Sequence, residues 1–140
     1  MELKDIVIDF ELAKELKELG VKQNSLYYYK EFNNGDLIHE IKDWIPEHQE
    51  QYKISAFTSD ELYEMIPYLI NSDGKKYYLI IEKGYETQVF YKTLNDRDLE
   101  IPNFDFILDK RLCNALAKML LYLLKTKYME KWFIKDWRFL

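Results

Sequence analysis

With 140 residues, 48% of them hydrophobic and 16% aromatic, the chain has enough apolar material for one folded domain and too much for a disordered one. Its formal charge of −5 and pI near 5.1 give no general support to a phosphate-binding surface. A single cysteine excludes an internal disulfide, and one cysteine with two distant histidines cannot supply a zinc-ligand pattern.

Residues 2–8 alternate loosely through Leu3, Ile6 and Ile8 and predict an extended lead-in. Asp9 stands where an N-cap carboxylate can accept the free backbone N–H groups of a first turn. Phe10, Ala13, Leu16 and Leu19 form one apolar stripe, and Gly20 supplies the left-handed residue at which helices end, so a helix is predicted over 10–19. Ser25–Lys30 is aromatic and β-prone, Asn33–Asp36 is turn chemistry, and Leu37–Ile41 alternates; together they predict a β-hairpin. Asp43–Gln51 reads as a polar loop around Trp44, Ile45 and Pro46, and Tyr52–Phe57 as a short extended piece. Thr58, three residues ahead of Glu61, makes a capping box that opens a helix over 59–66, and Pro67 ends it.

Lys75–Glu82 and Glu86–Lys92, around Lys83–Tyr85, form the clearest hairpin in the chain. The first strand is apolar on both faces, which predicts a central position; the second, with Gln88 and Lys92, reads as nearer the edge. Thr93–Leu108 is a polar connection with anchors at Leu99, Ile101, Phe104, Phe106 and Ile107. Asp109–Lys127 lies within the longest stretch free of glycine and proline, 103–140. It places Leu112, Ala115, Leu116, Met119, Leu120, Leu123 and Leu124 on one helical face, with Lys110, Lys118 and Lys125 on the other. A helix is predicted over 109–126, and the other elements are expected to pack on it. Continued to Arg138 it would be ~45 Å long, against a radius of gyration of ~14 Å for a domain of this size, so a break is expected near Thr126–Lys127. The element order predicts an α+β fold, an antiparallel sheet built from hairpins with helices 10–19, 59–66 and 109–126 mainly on one face. The expected organisation is a single domain, 1–140, with 128–140 as an aromatic extension.

Charge is distributed unevenly. Residues 1–65 hold 15 acidic and 7 basic side chains, a net of −8; residues 66–140 hold 10 and 13, a net of +3. The plain reading is solvated faces of one folded unit, and the sharper one is an anionic partner for the C-terminal face. No apolar run with a small-residue cleavage site opens the chain. The longest apolar region, Leu112–Leu124, contains Asn114 and Lys118 and is well short of the ~20 residues a membrane span needs. A soluble, cytoplasmic protein is the expectation.

Candidate chemistry is sparse. The glycines, at 20, 35, 74 and 84, are isolated turn candidates, which leaves no phosphate loop. Cys113, at the start of an apolar helix, reads as a small buried side chain in preference to a nucleophile. His39 on a strand and His48 in a polar loop are single residues, and Asp60–Glu61 and Asp96–Asp98 read as a cap and a solvated loop. The tyrosine runs Tyr27–Tyr29 and Tyr77–Tyr78 would stack on bases only beside a basic groove. The first has just Lys22 and Lys30 near it, so core packing is the expected role. No catalytic, cofactor-binding or metal residue is assigned, and no small-molecule ligand is inferred. The aromatic tail is more suggestive: in a helix, Met129, Trp132, Phe133, Trp137 and Leu140 share a stripe, a candidate interface for a protein partner or for self-association as a homodimer.

Four stretches taken together resemble a known group: Phe10–Gly20 (FELAKELKELG), Ser25–Tyr29 (SLYYY), Ala56–Pro67 (AFTSDELYEMIP) and Leu112–Leu124 (LCNALAKMLLYLL). They are similar, in this order and over about two-thirds of the chain, to small proteins of phages, prophages and gut bacteria such as Bacteroides, to which no activity, cofactor or catalytic residue is assigned. The resemblance implies a setting, that of a phage or mobile-element accessory protein, and no mechanism. The residues after Lys127 depart from the short ending usual in that group. The expectation carried forward is an accessory protein that works by protein–protein contact and is not an enzyme. A nucleic-acid-associated role through the basic C-terminal face is the alternative.

Overall fold

Helix α3 (Leu112–Lys125) is the element on which the rest is packed. The structure, a computed structural model, describes residues 2–30, 40–47, 53–72, 74–93 and 106–128. Along α3 the residues Cys113–Ala117, Met119–Leu121 and Leu123 are all buried, which is more than one stripe. The helix is covered so widely because α1 (Phe10–Glu18), α2 (Ser59–Met65) and a four-stranded sheet all pack against it. Ala117 and Leu121, outside the predicted stripe, are therefore core, whereas Leu112, assigned to that stripe, is 41% exposed at the helix start.

The fold is α+β, and every strand pairing is antiparallel, but the strands divide between two sheets where a single sheet is expected. In the smaller sheet β1 (Tyr28–Lys30) lies between β2 (Glu40–Lys42) and β3 (Lys53–Ser55), with Tyr29 opposite Ile41 on one side and Ile54 on the other. The larger sheet follows chain order: β4 (Leu69–Ser72), β5 (Lys75–Lys83), β6 (Thr87–Lys92) and β7 (Ile107–Asp109). The predicted β5–β6 hairpin is present, and β1 pairs antiparallel with β2 as the first predicted hairpin requires, while its Asn33–Asp36 turn and residues 37–39 lie outside the described residues. The strand β5 is interior, as its two apolar faces require. So is β6, against the edge position suggested by Gln88 and Lys92, because β7 pairs with its other side. Gln88 and Lys92 face outward, while Val89 and Tyr91 join Ile70, Tyr77, Leu79 and Ile107 in the core with α3, and Thr87 is buried on that same side. Of the tyrosine runs, Tyr28, Tyr29 and Tyr77 are buried, as expected, whereas Tyr27 and Tyr78 are half-buried.

Element ends follow local chemistry. Gly20 has φ +88°, Val21 N–H donates to Leu16 C=O, and Gly20 N–H donates to Lys17 C=O. That is the paired closure which satisfies two of the last free carbonyls of α1. At α2, Glu61 N–H bonds the Thr58 hydroxyl while the Glu61 carboxylate returns to Thr58 N–H, so the predicted capping box is formed. Helix α3 begins at Leu112 and not at 109, because Ile107–Asp109 is extended and paired with Thr87–Val89. The predicted break is present: α3 stops at Lys125, Thr126 N–H and hydroxyl both donate to Tyr122 C=O, and Lys127 takes the left-handed conformation at φ +64°. The lead-in is not uniformly extended. Leu3–Asp5 forms a single 3-10 turn, after which Val7 bridges Thr58 and Ile8 N–H donates to Phe57 C=O. The candidate interface residues Met129, Trp132, Phe133, Trp137 and Leu140, with His39 and His48, lie outside the described residues. Among the described residues, no helix is long and apolar enough to cross a membrane.

Candidate interaction site

A cleft of about 510 Å³ opens where four separate segments meet. Asp5 and Ile6 come from the N-terminal turn, Leu26 and Tyr27 from the approach to β1, Thr58–Glu61 from the first turn of α2, and Arg111–Cys113 from the start of α3. No protein-family model, curated protein or solved structure matches the chain.

Arg111 holds the cleft together. Its guanidinium donates to the Asp9 carboxylate at 2.7 Å, to the Lys4 carbonyl at 2.7 Å and to the Val7 carbonyl, tying the N-terminal segment to the start of α3. A planar fork with several fixed donors can reach three acceptors at once, which a lysine ammonium on a flexible stem does poorly. Asp9 is the N-cap of α1 by position, but its side chain makes no cap bond. Its second oxygen instead accepts from the Asn114 amide at 2.9 Å, while Asp9 N–H donates to Asn114 Oδ1 at 3.0 Å. The cap assignment from sequence thus gives the right residue and the wrong partner, because α3 presents both an amide and a guanidinium to it. Asn114 is buried at 3%, and this reciprocal pair satisfies it. Glu61 braces the opposite wall: one oxygen closes the capping box, and the other accepts from Leu26 N–H at 3.1 Å.

Cys113 in the cleft and Tyr29 behind it are structural. Cys113 is 3% exposed, and burial pushes its thiol up in spite of the Arg111 charge, so it stays protonated, as a buried side chain should. Burial and the Asp9 charge push Tyr29, whose hydroxyl donates to Ile8 C=O at 2.7 Å, up to about 12. Among the described residues, no cluster of three or more Cys, His, Asp or Glu could hold a metal ion.

Asp109 lies behind Arg111 and accepts from Lys118 at 2.8 Å and from Arg111 N–H at 2.9 Å. Burial alone would raise its carboxyl, but these two hydrogen bonds and the neighbouring charges outweigh that and hold it below its ordinary value of 3.8. A carboxylate that ionises more readily in the fold than in the unfolded chain contributes stability above that ordinary value. The contribution disappears as pH falls through the lowered folded one. Urea titrations between pH 7 and pH 2 should therefore show Asp109→Asn less stable than the parent at neutral pH, with the gap closing below about pH 4. A gap of constant size across that range would mean the ion pair contributes nothing.

What remains available for contact is apolar and acidic surface. Leu26 and Leu112 are 64% and 41% exposed at the lips of the cleft, and Ile6 and Tyr27 are half-buried within it. Neither signal was visible in the sequence as a site. Leu112 reads as core, and Leu26 as one residue of a strand. A second apolar surface lies on the outer face of the larger sheet, where Phe90 and Phe106 meet edge-on with ring centroids 5.3 Å apart and Leu108 is 48% exposed.

Proposed function

We propose that the chain is a protein-binding module without catalytic activity, acting in the cytoplasm as an accessory protein of a phage or mobile element. One observation carries this reading. In this cleft, Glu61 and Arg111 are already engaged in holding the fold together, while two leucines stand exposed at its lips. An enzyme site gathers groups poised to donate or accept protons near neutral pH. Here the resolved shifts run the other way, upward for Tyr29, Tyr91 and Cys113 and downward for Asp109. The nucleic-acid alternative has less support. Of the five basic residues between 106 and 128, three are paired: Arg111 with Asp9, Lys118 with Asp109 and Lys125 with Glu15.

Site-specific photo-crosslinking in a bacterium carrying the gene tests the reading. A benzophenone side chain at position 26 or 112 is expected to capture a discrete protein, and one at the exposed Tyr68, outside the cleft, is expected to capture none. Crosslinks to nucleic acid, or equal capture at all three positions, would reject it.

A further inference from the structure

We propose that the cleft between the N-termini of α2 and α3 takes a peptide segment of a partner protein in which one large apolar side chain is flanked by Lys or Arg. The inference rests on the protein-binding reading and names the class of partner. The apolar requirement comes from the lining: Ile6 and Tyr27 within, and Leu26 and Leu112 at the lips, surround a space large enough for an aromatic or leucine side chain. The charge requirement comes from the rim. Asp5 and Asp60 are both exposed and form no ion pair among the described residues, and Asp5 has one oxygen that accepts from Glu2 N–H at 2.9 Å. The capping box at α2 is completed by Thr58 and Glu61, so Asp60 is not needed for it. The single cation of the lining, Arg111, is neutralised by Asp9 and does not offset the rim. By sequence, residues 1–65 carry a net charge of −8, which favours encounter with a basic segment over an acidic one.

The test is an amide chemical-shift titration of the full-length, nitrogen-15-labelled protein with three six-residue probes. The first is acetyl-Lys-Lys-Trp-Leu-Lys-Lys-amide; the second replaces every Lys by Glu; the third replaces Trp-Leu by Ser-Ser. The first is expected to give saturable shifts centred on residues 26, 27, 60, 61, 112 and 113, and the other two none there. In Asp5→Asn/Asp60→Asn its affinity should fall about fivefold, the scale of two exposed ion pairs. In Leu26→Ser the fall should be about tenfold or more. Both variants change exposed side chains, and the unperturbed remainder of the spectrum reports that they fold. Equal binding of the Glu probe, or no saturable shift up to millimolar concentration, overturns the proposal. Discrete crosslinks at positions 26 and 112 together with a failed titration would reject the basic-segment class and keep the module reading. Loss of those crosslinks would reject both.

Discussion

Leu120→Ala is expected to destabilise the protein by about 3 kcal/mol in urea unfolding, within the range found when buried leucines are truncated. Leu120 is fully buried in α3, within the core cluster that also takes residues from α1, α2 and the larger sheet. Truncation would remove apolar surface from a packed centre and leave a cavity bounded by elements that are fixed in place by other contacts, so little collapse is available. Leu112→Ala, in the same helix, makes the comparison decisive. Its side chain is 41% exposed at the mouth of the cleft, and the cost should stay below about 1 kcal/mol. On the sequence pattern alone the two leucines belong to one stripe and should cost the same. Equal losses would place Leu112 in the core and remove the lip of the proposed site.

Arg111→Met is expected to cost about 2–3 kcal/mol, and Arg111→Lys to recover less than half of that. Methionine would fill much of the same volume but leave the Lys4 and Val7 carbonyls and the Asp9 carboxylate without their donor. Lysine would restore the charge without the fork. The Arg111 side chain is 31% exposed, so water can partly replace the lost bonds, and the cost stays below that of a fully buried ion pair. A double-mutant cycle with Asp9→Ala should return a coupling of about 1 kcal/mol, since Asp9 is 62% exposed and keeps its bond to Asn114. For a domain of this size the Arg111→Met loss corresponds to a fall in Tm of roughly 5–10 °C. A loss below about 0.5 kcal/mol would show that the N-terminal segment docks without the clamp.

The parts of this fold that are legible in sequence are those governed by neighbours along the chain. Asp9 and Gly20 bracket α1, Thr58 and Glu61 open α2, and hydrophobic alternation around Lys83–Tyr85 gives the β5–β6 hairpin. The break after α3 was expected on length, and Lys127 marks it. Strand β4 escapes the pattern because it is four residues long, ends in Asn71 and Ser72, and begins just after Pro67. The signal that could have found it is the Asp73–Gly74 dipeptide, a common hairpin turn: β4 and β5 pair as far as Ser72↔Lys75, and Gly74 has φ +76°. Strand β7 escapes it too, because only pairing with Thr87–Val89 makes Ile107–Asp109 extended. The cleft is less legible still. Its lining comes from positions 5–6, 26–27, 58–61 and 111–113, and nothing in any one segment announces the other three. Arg111 reads as one more charge of a basic stretch until the fold places Lys4, Val7 and Asp9 around it.

That clamp also sets a timetable for synthesis. Arg111 reaches back 102 residues to Asp9 and 107 to Lys4, and the helix beginning just after it covers α1 and α2. At roughly 5–20 residues per second, about 5–20 s of translation separate the two halves of these contacts. During that interval Ile8 and Leu16, and in its second half also Phe57 and Leu62, all fully buried in the finished protein, lack α3 from the core they share with it. The first hundred residues thus leave the ribosome as an apolar half-product, open to chaperones and to other nascent chains, and they acquire a complete core only when α3 emerges. A message truncated before residue 112 would yield a polypeptide that aggregates, not a smaller working module.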